Sequence, residues 1–321
     1  MRTAYLLRRV VQIVPLVLGV VAVNFLIIHL TPGDPASALA GDMAPPEYVE
    51  ELRRQYGLDK PVIVQLLVYF KHLLTGDLGY SFSYQQSVAS LVLDRVPATV
   101  LLILAAQIPA IIFGTLLGAF AARHHGSWAD RLIGLGTLGL YSVPVFLSGM
   151  LFILIFALQL KWFPTSGMTS FNVGGSTLAV VSDTLWHLVL PAATLGLYLL
   201  PVYARITRAS VLEVMNEHYI TTARAIGFSE NVVFFRHALR NALLPTITTS
   251  GISIGLTFAG ALLTKTVFAW PGMGQLMYNA LFQRDYPLIM GVFFITAISV
   301  AVISVLADFL LAVADPRVAY E

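Results

Sequence analysis

The chain has no cysteine. That excludes disulfides, thiolate nucleophiles and Cys-ligated zinc or iron–sulfur chemistry. It is also poor in charge: 11% of its 321 residues are Asp, Glu, Lys or Arg, while 57% are hydrophobic. A soluble domain carries about 25% charged residues, so this composition describes an integral membrane protein. The net charge of +2 is spread thinly and forms no basic patch for nucleic acid. No GxxxxGK[ST] phosphate loop occurs, and no polar region is large enough for a nucleotide-binding domain. HExxH, a paired intramembrane aspartate and a nucleophilic serine motif are missing as well. If the chain takes part in active transport, its motor is a separate polypeptide.

Long apolar runs are abundant. A helix needs about 20 residues to cross a bilayer core, and six segments qualify: 10–30, 101–122, 132–158, 185–203, 242–263 and 288–313. The expected fold class is therefore all-α, with six transmembrane helices. Pro144 in the third segment, and Pro191 and Pro201 in the fourth, predict kinks. None of the six carries an ionisable residue at mid-depth, where such groups mark proton relays or ion sites. His29, His187 and Asp308 all lie towards segment ends.

Orientation follows from the short loops. With the N-terminus in the cytoplasm, the inner side collects Arg2, Arg8, Arg9, Arg123, Arg131, Arg205, Arg208, Arg224, Arg236, Arg240 and Arg317. The short outer loops hold only Lys161, Lys265 and Arg284, with Arg95 near the outer surface. Both termini are expected on the cytoplasmic side of the inner membrane. A cleaved signal peptide is the rival reading of the N-terminus, with Ala38-Leu39-Ala40 as the cleavage site. Against it, the apolar run exceeds the usual h-region of about 7 to 15 residues, and Pro32-Gly33-Asp34-Pro35 intervenes.

The largest polar interruption on the expected cytoplasmic side is 205–241. From 210 to 226 it lacks proline and glycine, and Val211, Met215, Tyr219, Ala223 and Ile226 recur at three- or four-residue intervals, which predicts one amphipathic helix. Gly227 ends it. Ser229 is placed to cap a second helix, with Glu230 in its first turn and Phe234, Phe235, Arg236 and Arg240 along it. By periodicity alone, such a helix serves equally well as a headgroup-bound surface helix.

The exact string separates these readings. Tyr219-Ile220-Thr221-Thr222-Ala223-Arg224-Ala225-Ile226-Gly227, followed by Arg236-His237-Ala238-Leu239-Arg240-Asn241-Ala242-Leu243-Leu244-Pro245, resembles the EAA loop of binding-protein-dependent ABC importer permeases. Within that family it is most similar to the first permease subunit of the dipeptide, oligopeptide and nickel branch. The similarity continues through Thr31-Pro32-Gly33-Asp34-Pro35, Gly57-Leu58-Asp59-Lys60-Pro61, Gly76-Asp77-Leu78-Gly79-Tyr80-Ser81, Arg95-Val96-Pro97-Ala98-Thr99, Phe268-Ala269-Trp270-Pro271-Gly272-Met273-Gly274, Arg284-Asp285-Tyr286-Pro287 and Asp315-Pro316-Arg317.

The resemblance implies a type I ABC importer permease fold and a division into two parts: 1–94, a first helix with its external segment, and 95–321, the core containing the coupling loop 205–245. It implies three kinds of partner besides membrane lipid: a second homologous permease subunit, two ATPase subunits that carry ATP and magnesium, and an external solute-binding protein. This chain would itself bind no cofactor. The coupling residues would be Tyr219, Thr222, Ala223, Arg224 and Gly227, on a helix from about residue 216 to 226 that acts as a rigid lever. Two departures stand out. Arg240 occupies the spot where the general EAA pattern has proline, which comes five residues later as Pro245, and Lys265 precedes Val267-Phe268 where the branch has an acid.

The fifth segment adds a pattern independent of family. Thr246, Ser250, Ser253, Thr257 and Thr264 fall within a narrow arc of one helical face. Gly251 and Gly255 lie roughly opposite, and Gly114 and Gly118 repeat the GxxxG spacing in the second segment, a signature of close helix packing in lipid. The hydroxyl row either lines a solute pathway, through Thr246, Ser250, Ser253 and Thr257, or bonds back to its own helix.

The external segment predicts helices at 47–56 and Val62–Leu74, bounded by Pro45-Pro46, Pro61 and Gly76. Its aromatic residues Tyr69, Phe70, Tyr80, Phe82 and Tyr84 suit either an interfacial belt or contact with a binding protein, and Trp270 suits the belt. A secondary carrier, a channel, a scaffold or a membrane enzyme remain the other classes. The first two conflict with the absence of mid-membrane charge, and no catalytic set supports the last.

Overall fold

A computed structural model describes residues 11, 13–30, 34–41, 43–55, 57–170, 174–260 and 262–314. Arg2, Arg8, Arg9, Arg317, Thr31-Pro32-Gly33, Tyr56 and Asp315-Pro316 lie outside the described residues, as do the side chains of His29, Lys265 and Asp308.

Among the described residues the regular structure is helical apart from one hairpin of two two-residue strands. Helix α1 (Ile13–Leu30) leads into the short α2 (Pro35–Ala40), then α3 (Pro46–Gln55) and α4 (Val62–Leu74). Strands β1 (Tyr80–Ser81) and β2 (Gln86–Ser87) pair antiparallel, Tyr80 opposite Ser87. The spanning bundle is α5 (Val88–Arg123), α6 (Trp128–Ser142), α7 (Val145–Phe152) and α8 (Thr177–Met215), with π-helical residues Ile153–Gln159 extending α7. A loop of α9 (His218–Ala225), α10 (Glu230–Val232), a π-helical turn Val233–Leu239 and α11 (Arg240–Ala242) returns to the bundle. Then come α12 (Leu244–Gly260), α13 (Leu262–Val267), α14 (Met273–Phe282) and α15 (Tyr286–Ala314).

Among the described residues, α5, α8 and α15 are each long and apolar enough to cross a membrane, and α6 with the extended α7 makes a fourth passage bent by 93°. The first and fifth expected segments fall on α1 and α12, of 18 and 17 residues. At about 1.5 Å per residue, the 39-residue α8 is roughly 58 Å long and must project beyond a bilayer. It runs unbroken through Pro191 and Pro201, with both prolines buried. The kink expected at Pro144 is instead a corner. Val143, preceding proline, is extended at φ −86°, ψ 125°, and Pro144 starts α7.

Glycine sets the closest approach in the bundle. A Cβ at Gly114 would lie 2.7 Å from the Tyr203 Cβ and 2.8 Å from the Leu200 carbonyl, and one at Gly118 would meet the Ala204 carbonyl and Thr207. Both therefore press α5 against α8. Gly251 and Gly255 similarly face Ala307 and Val300 of α15. The small residues let backbones approach where lipid offers no hydrophobic drive for association.

The segment before α5 is packed down. Tyr69 and Leu73 of α4 and Leu52 of α3 join Val21 and Phe25 of α1 and Met290 and Phe294 of α15 in one cluster. Tyr69 is thus a core residue, while Tyr48 and Tyr80 each meet the Phe82 ring edge to face. Trp270 is no belt residue: it is fully buried, and its indole N–H donates to the Ala98 carbonyl at 2.8 Å. The Thr99 hydroxyl accepts from the Met273 N–H next to it, so the α13–α14 turn is fixed to α5.

Candidate coupling site

The helix predicted over 210–226 is two helices. Residues 210–215 complete α8, and the chain breaks at Asn216, whose amide donates to the Leu212 carbonyl at 2.9 Å, followed by Glu217 in extended conformation. An Asn side chain that bonds its own helix's carbonyl offers an alternative to continuing it. Helix α9 then starts at His218, two residues inside the expected coupling helix.

Its end has the full hydrogen-bond pattern of a glycine C-cap. Gly227 sits at φ +92°, its N–H donates to the Arg224 carbonyl, and the Phe228 N–H donates to the Ala223 carbonyl. This six-to-one and five-to-two pairing satisfies orphan carbonyls only with a left-handed residue at the corner, which glycine adopts without strain. Across the corner the Arg224 guanidinium holds Glu230 through Nε at 2.8 Å and Nη2 at 3.3 Å. Both side chains are well exposed, so the pair contributes at most about 1 kcal/mol. Ser229 precedes α10 but makes no side-chain cap bond.

One face of α9 is committed inward. Ile220 and Ala223 are buried against Val233 and Ala238, with Val214 and Met215 beside them. Tyr219 is anchored at its tip: its hydroxyl accepts from the Asn241 amide at 2.8 Å and reaches the His237 carbonyl at 3.4 Å. Thr222, Arg224, Ile226 and Phe228 are exposed, Ile226 at 70%. Of the five residues singled out in the sequence, Tyr219, Thr222 and Arg224 contribute to the outer surface, Ala223 lets the two loop segments close, and Gly227 shapes the knuckle.

The knuckle is joined to the bundle. Phe234 packs with Ala119 and Ala122 of α5, Val211 of α8 and Ala242. Arg123, at the end of α5, donates to Asn231 and lies over the rings of Phe234 and Phe235 at 5.5 and 5.4 Å. A force on α9 therefore reaches α5, α8 and, through α11, α12. Beside it Asp130 accepts from Arg208 Nε at 2.6 Å and Nη2 at 2.8 Å.

The hydroxyl row of α12 faces α5 and α8. Gln107 of α5 donates through Nε2 to Ser253 and Thr257, each at 3.1 Å, and accepts from the Tyr203 hydroxyl at 2.6 Å. Thr246 pairs with Thr207 at 3.0 Å. Ser250 donates to the Thr246 carbonyl and Thr257 to that of Ser253. Thr264 is buried with an unpartnered hydroxyl among the described residues. The row is thus part of a polar seam across three helices, and its two principal partners, Gln107 and Tyr203, had no periodic signal of their own.

Comparison with known proteins places this geometry. Residues 114–320 match the model of the family described as binding-protein-dependent transport system inner membrane component, and residues 2–103 match that of its N-terminal region. A putative peptide transport system permease protein of Brucella melitensis is 40% identical over 322 residues, covering 100% of both chains. The di/tripeptide transport system permease of Pseudomonas aeruginosa is 38% identical, covering 99% of each. The glutathione transport system permease of Salmonella paratyphi A is 36% identical, again covering 99% of each. Among solved structures, a chain of the MetNI methionine ABC transporter in inward-facing conformation aligns with a TM-score of 0.53 at 15% identity. It covers 70% of this chain and 96% of that one.

Proposed function

The chain belongs to the family of binding-protein-dependent transport system inner membrane components, and from that membership we propose that it forms half of the pathway of an ATP-driven importer of peptides. Relatives named for peptides over nearly the whole chain support the solute class. The observation that carries the mechanism is the knuckle at Gly227: a small, exposed, capped surface backed by packing onto α5 and α8. With both termini and this loop in the cytoplasm, as the arginine distribution indicates, Tyr219, Thr222, Arg224, Ile226 and Phe228 face a separate ATPase subunit.

Two such ATPases, which bind the ATP and magnesium, a second permease subunit and an external solute-binding protein complete the assembly. Closure of the ATPases pushes on α9, and Ala223 and Phe234 pass that push to the bundle. The seam of Gln107, Tyr203, Ser253 and Thr257 then rearranges, exposing Thr246, Ser250, Ser253 and Thr257 to the solute.

Reconstitution of the chain with the proteins encoded beside it tests this reading. Uptake of a labelled dipeptide is expected to require ATP and every subunit, and a soluble thiol reagent is expected to label Ser253→Cys faster than Ile254→Cys during turnover. Uptake by the chain alone would identify a secondary carrier or channel, and equal labelling would remove the hydroxyl row from the pathway.

A further inference from the structure

A cleft of about 420 Å³ opens between α6 and α8, near the end of the bundle that carries the coupling loop. Its walls are apolar: Ile133, Leu138, Pro201 and Val202 line it. Tyr141 lines it too, stacked on Tyr198 at 5.7 Å. Three arginines line it, and they are not equivalent. Arg208 is neutralised by Asp130. Arg131 and Arg205 have no carboxylate partner among the described residues, and each lies over an aromatic ring, Arg131 on Trp128 at 5.6 Å and Arg205 on Tyr141 at 6.0 Å. Helix α6 begins at Trp128, which is 75% exposed, so a tryptophan and an arginine stand together at the helix end where an aromatic belt meets the headgroups.

We propose that this cleft is a binding site for one anionic phospholipid. The lipid phosphate sits at the Arg131 guanidinium, with Arg205 adding positive charge along the same cleft, and an acyl chain lies along Ile133, Leu138 and Val202. The charge matches: two guanidinium groups, unpaired among the described residues, face a leaflet that carries the anionic headgroups, and planar guanidinium suits phosphate oxygens. The shape matches as well, because the groove is lined mainly by apolar side chains. Gly134 borders the groove, and a Cβ there would meet nothing within 4 Å. The space beside α6 is therefore not filled by this chain. A lipid seated there would brace α6, whose Leu132, Leu135 and Leu138 are all more than half exposed, against the helix that leads into the coupling loop. The leaflet assignment rests on the orientation proposed above.

Native mass spectrometry of the full-length chain tests the site, after purification from nanodiscs of mixed phosphatidylcholine and phosphatidylglycerol. The parent chain is expected to retain phosphatidylglycerol in preference to phosphatidylcholine. The double variant R131Q/R205Q is expected to retain roughly thirtyfold less, from the loss of two cations at about 1 kcal/mol each. Gly134→Leu fills the groove without touching charge and is expected to expel the lipid likewise. The pair R236Q/R240Q, which removes equal charge from the same end of the bundle, is expected to keep it. Unchanged retention in both cleft variants would overturn the proposal, as would equal loss in R236Q/R240Q. So would a photo-reactive residue at position 138 that captured a polypeptide in place of lipid, since the cleft would then be a subunit contact. The lipid count needs no transport, so a failed uptake assay beside these results would bear on the permease reading alone.

Discussion

Gly118→Leu is expected to leave little folded chain. At this position even a methyl group would meet the Ala204 carbonyl and Thr207, and Gly114 one turn earlier faces Tyr203 and Leu200 at 2.7 and 2.8 Å. Carbonyl oxygens on an α-helix cannot rotate away as a side-chain tip can, so a leucine must push α5 and α8 apart. Overpacking of a tight core costs about 3 kcal/mol or more in such a case, a large share of a stability of about 5–15 kcal/mol. The damage spreads, because Tyr203 and Thr207 on the displaced face of α8 hold Gln107 and Thr246. Size-exclusion profiles and thermal unfolding of detergent extracts measure it. Gly136→Leu is the control, since a Cβ there meets nothing within 4 Å. A Gly118→Leu chain that elutes and melts like the parent would mean that α5 and α8 do not pack as described.

The second large effect is on transport and leaves folding intact. Gly227→Val places a β-branched residue at φ +92°, a conformation such residues almost never adopt. The strain is of order 1–3 kcal/mol, and the corner relieves it by opening. That breaks the Phe228–Ala223 hydrogen bond and the Arg224–Glu230 contact, and it turns the exposed face of α9 away from its present direction. Nothing lies within 4 Å of a Cβ at this glycine, so the bundle has no reason to unfold. In the reconstituted assembly, ATP-driven uptake is expected to fall at least about tenfold, the equivalent of 1.4 kcal/mol of misplacement. The chain should still elute as the parent does. Undiminished uptake would show that the knuckle's shape is irrelevant to coupling.

How legible these features were in the sequence depended on whether their cause was local. Helix α4 occupies Val62–Leu74, the residues expected, because proline and glycine bound it on both sides. Helix α3 begins one residue before the expected start, at Pro46. The Gly227 corner was readable from a single glycine after a periodic run. The break at Asn216 was not, because Asn is tolerated inside helices and only the bond to Leu212 marks it as a terminator. Proline was misleading in both directions: Pro144 gives a 93° corner where a kink was expected, while Pro191 and Pro201 stay within one long helix. What decides between those outcomes is tertiary, namely the packing of α8 along α5.

The site was legible in outline only. Periodicity gave α9 an apolar face, but it could not say that Ala223 points to Val233 and Ala238 while Ile226 points out. The hydroxyl row stood out on one helix, whereas its partners Gln107 and Tyr203 are single residues on two others, 96 positions apart. Trp270 was read by its type and not by its surroundings. Its indole bond to Ala98 spans 172 positions, a separation to which local pattern is blind.

The central claim is that the face of α9 around Ile226 is where a separate ATPase grips this chain. A photo-reactive amino acid at position 226 tests it most directly, in the chain co-expressed with the proteins encoded beside it. Position 43, which is 73% exposed in the segment between α2 and α3, serves as the comparison. On irradiation, position 226 is expected to yield an adduct with the mass of an ATPase subunit, and position 43 none. An adduct with lipid alone at position 226, or equal ATPase capture at position 43, would contradict the account.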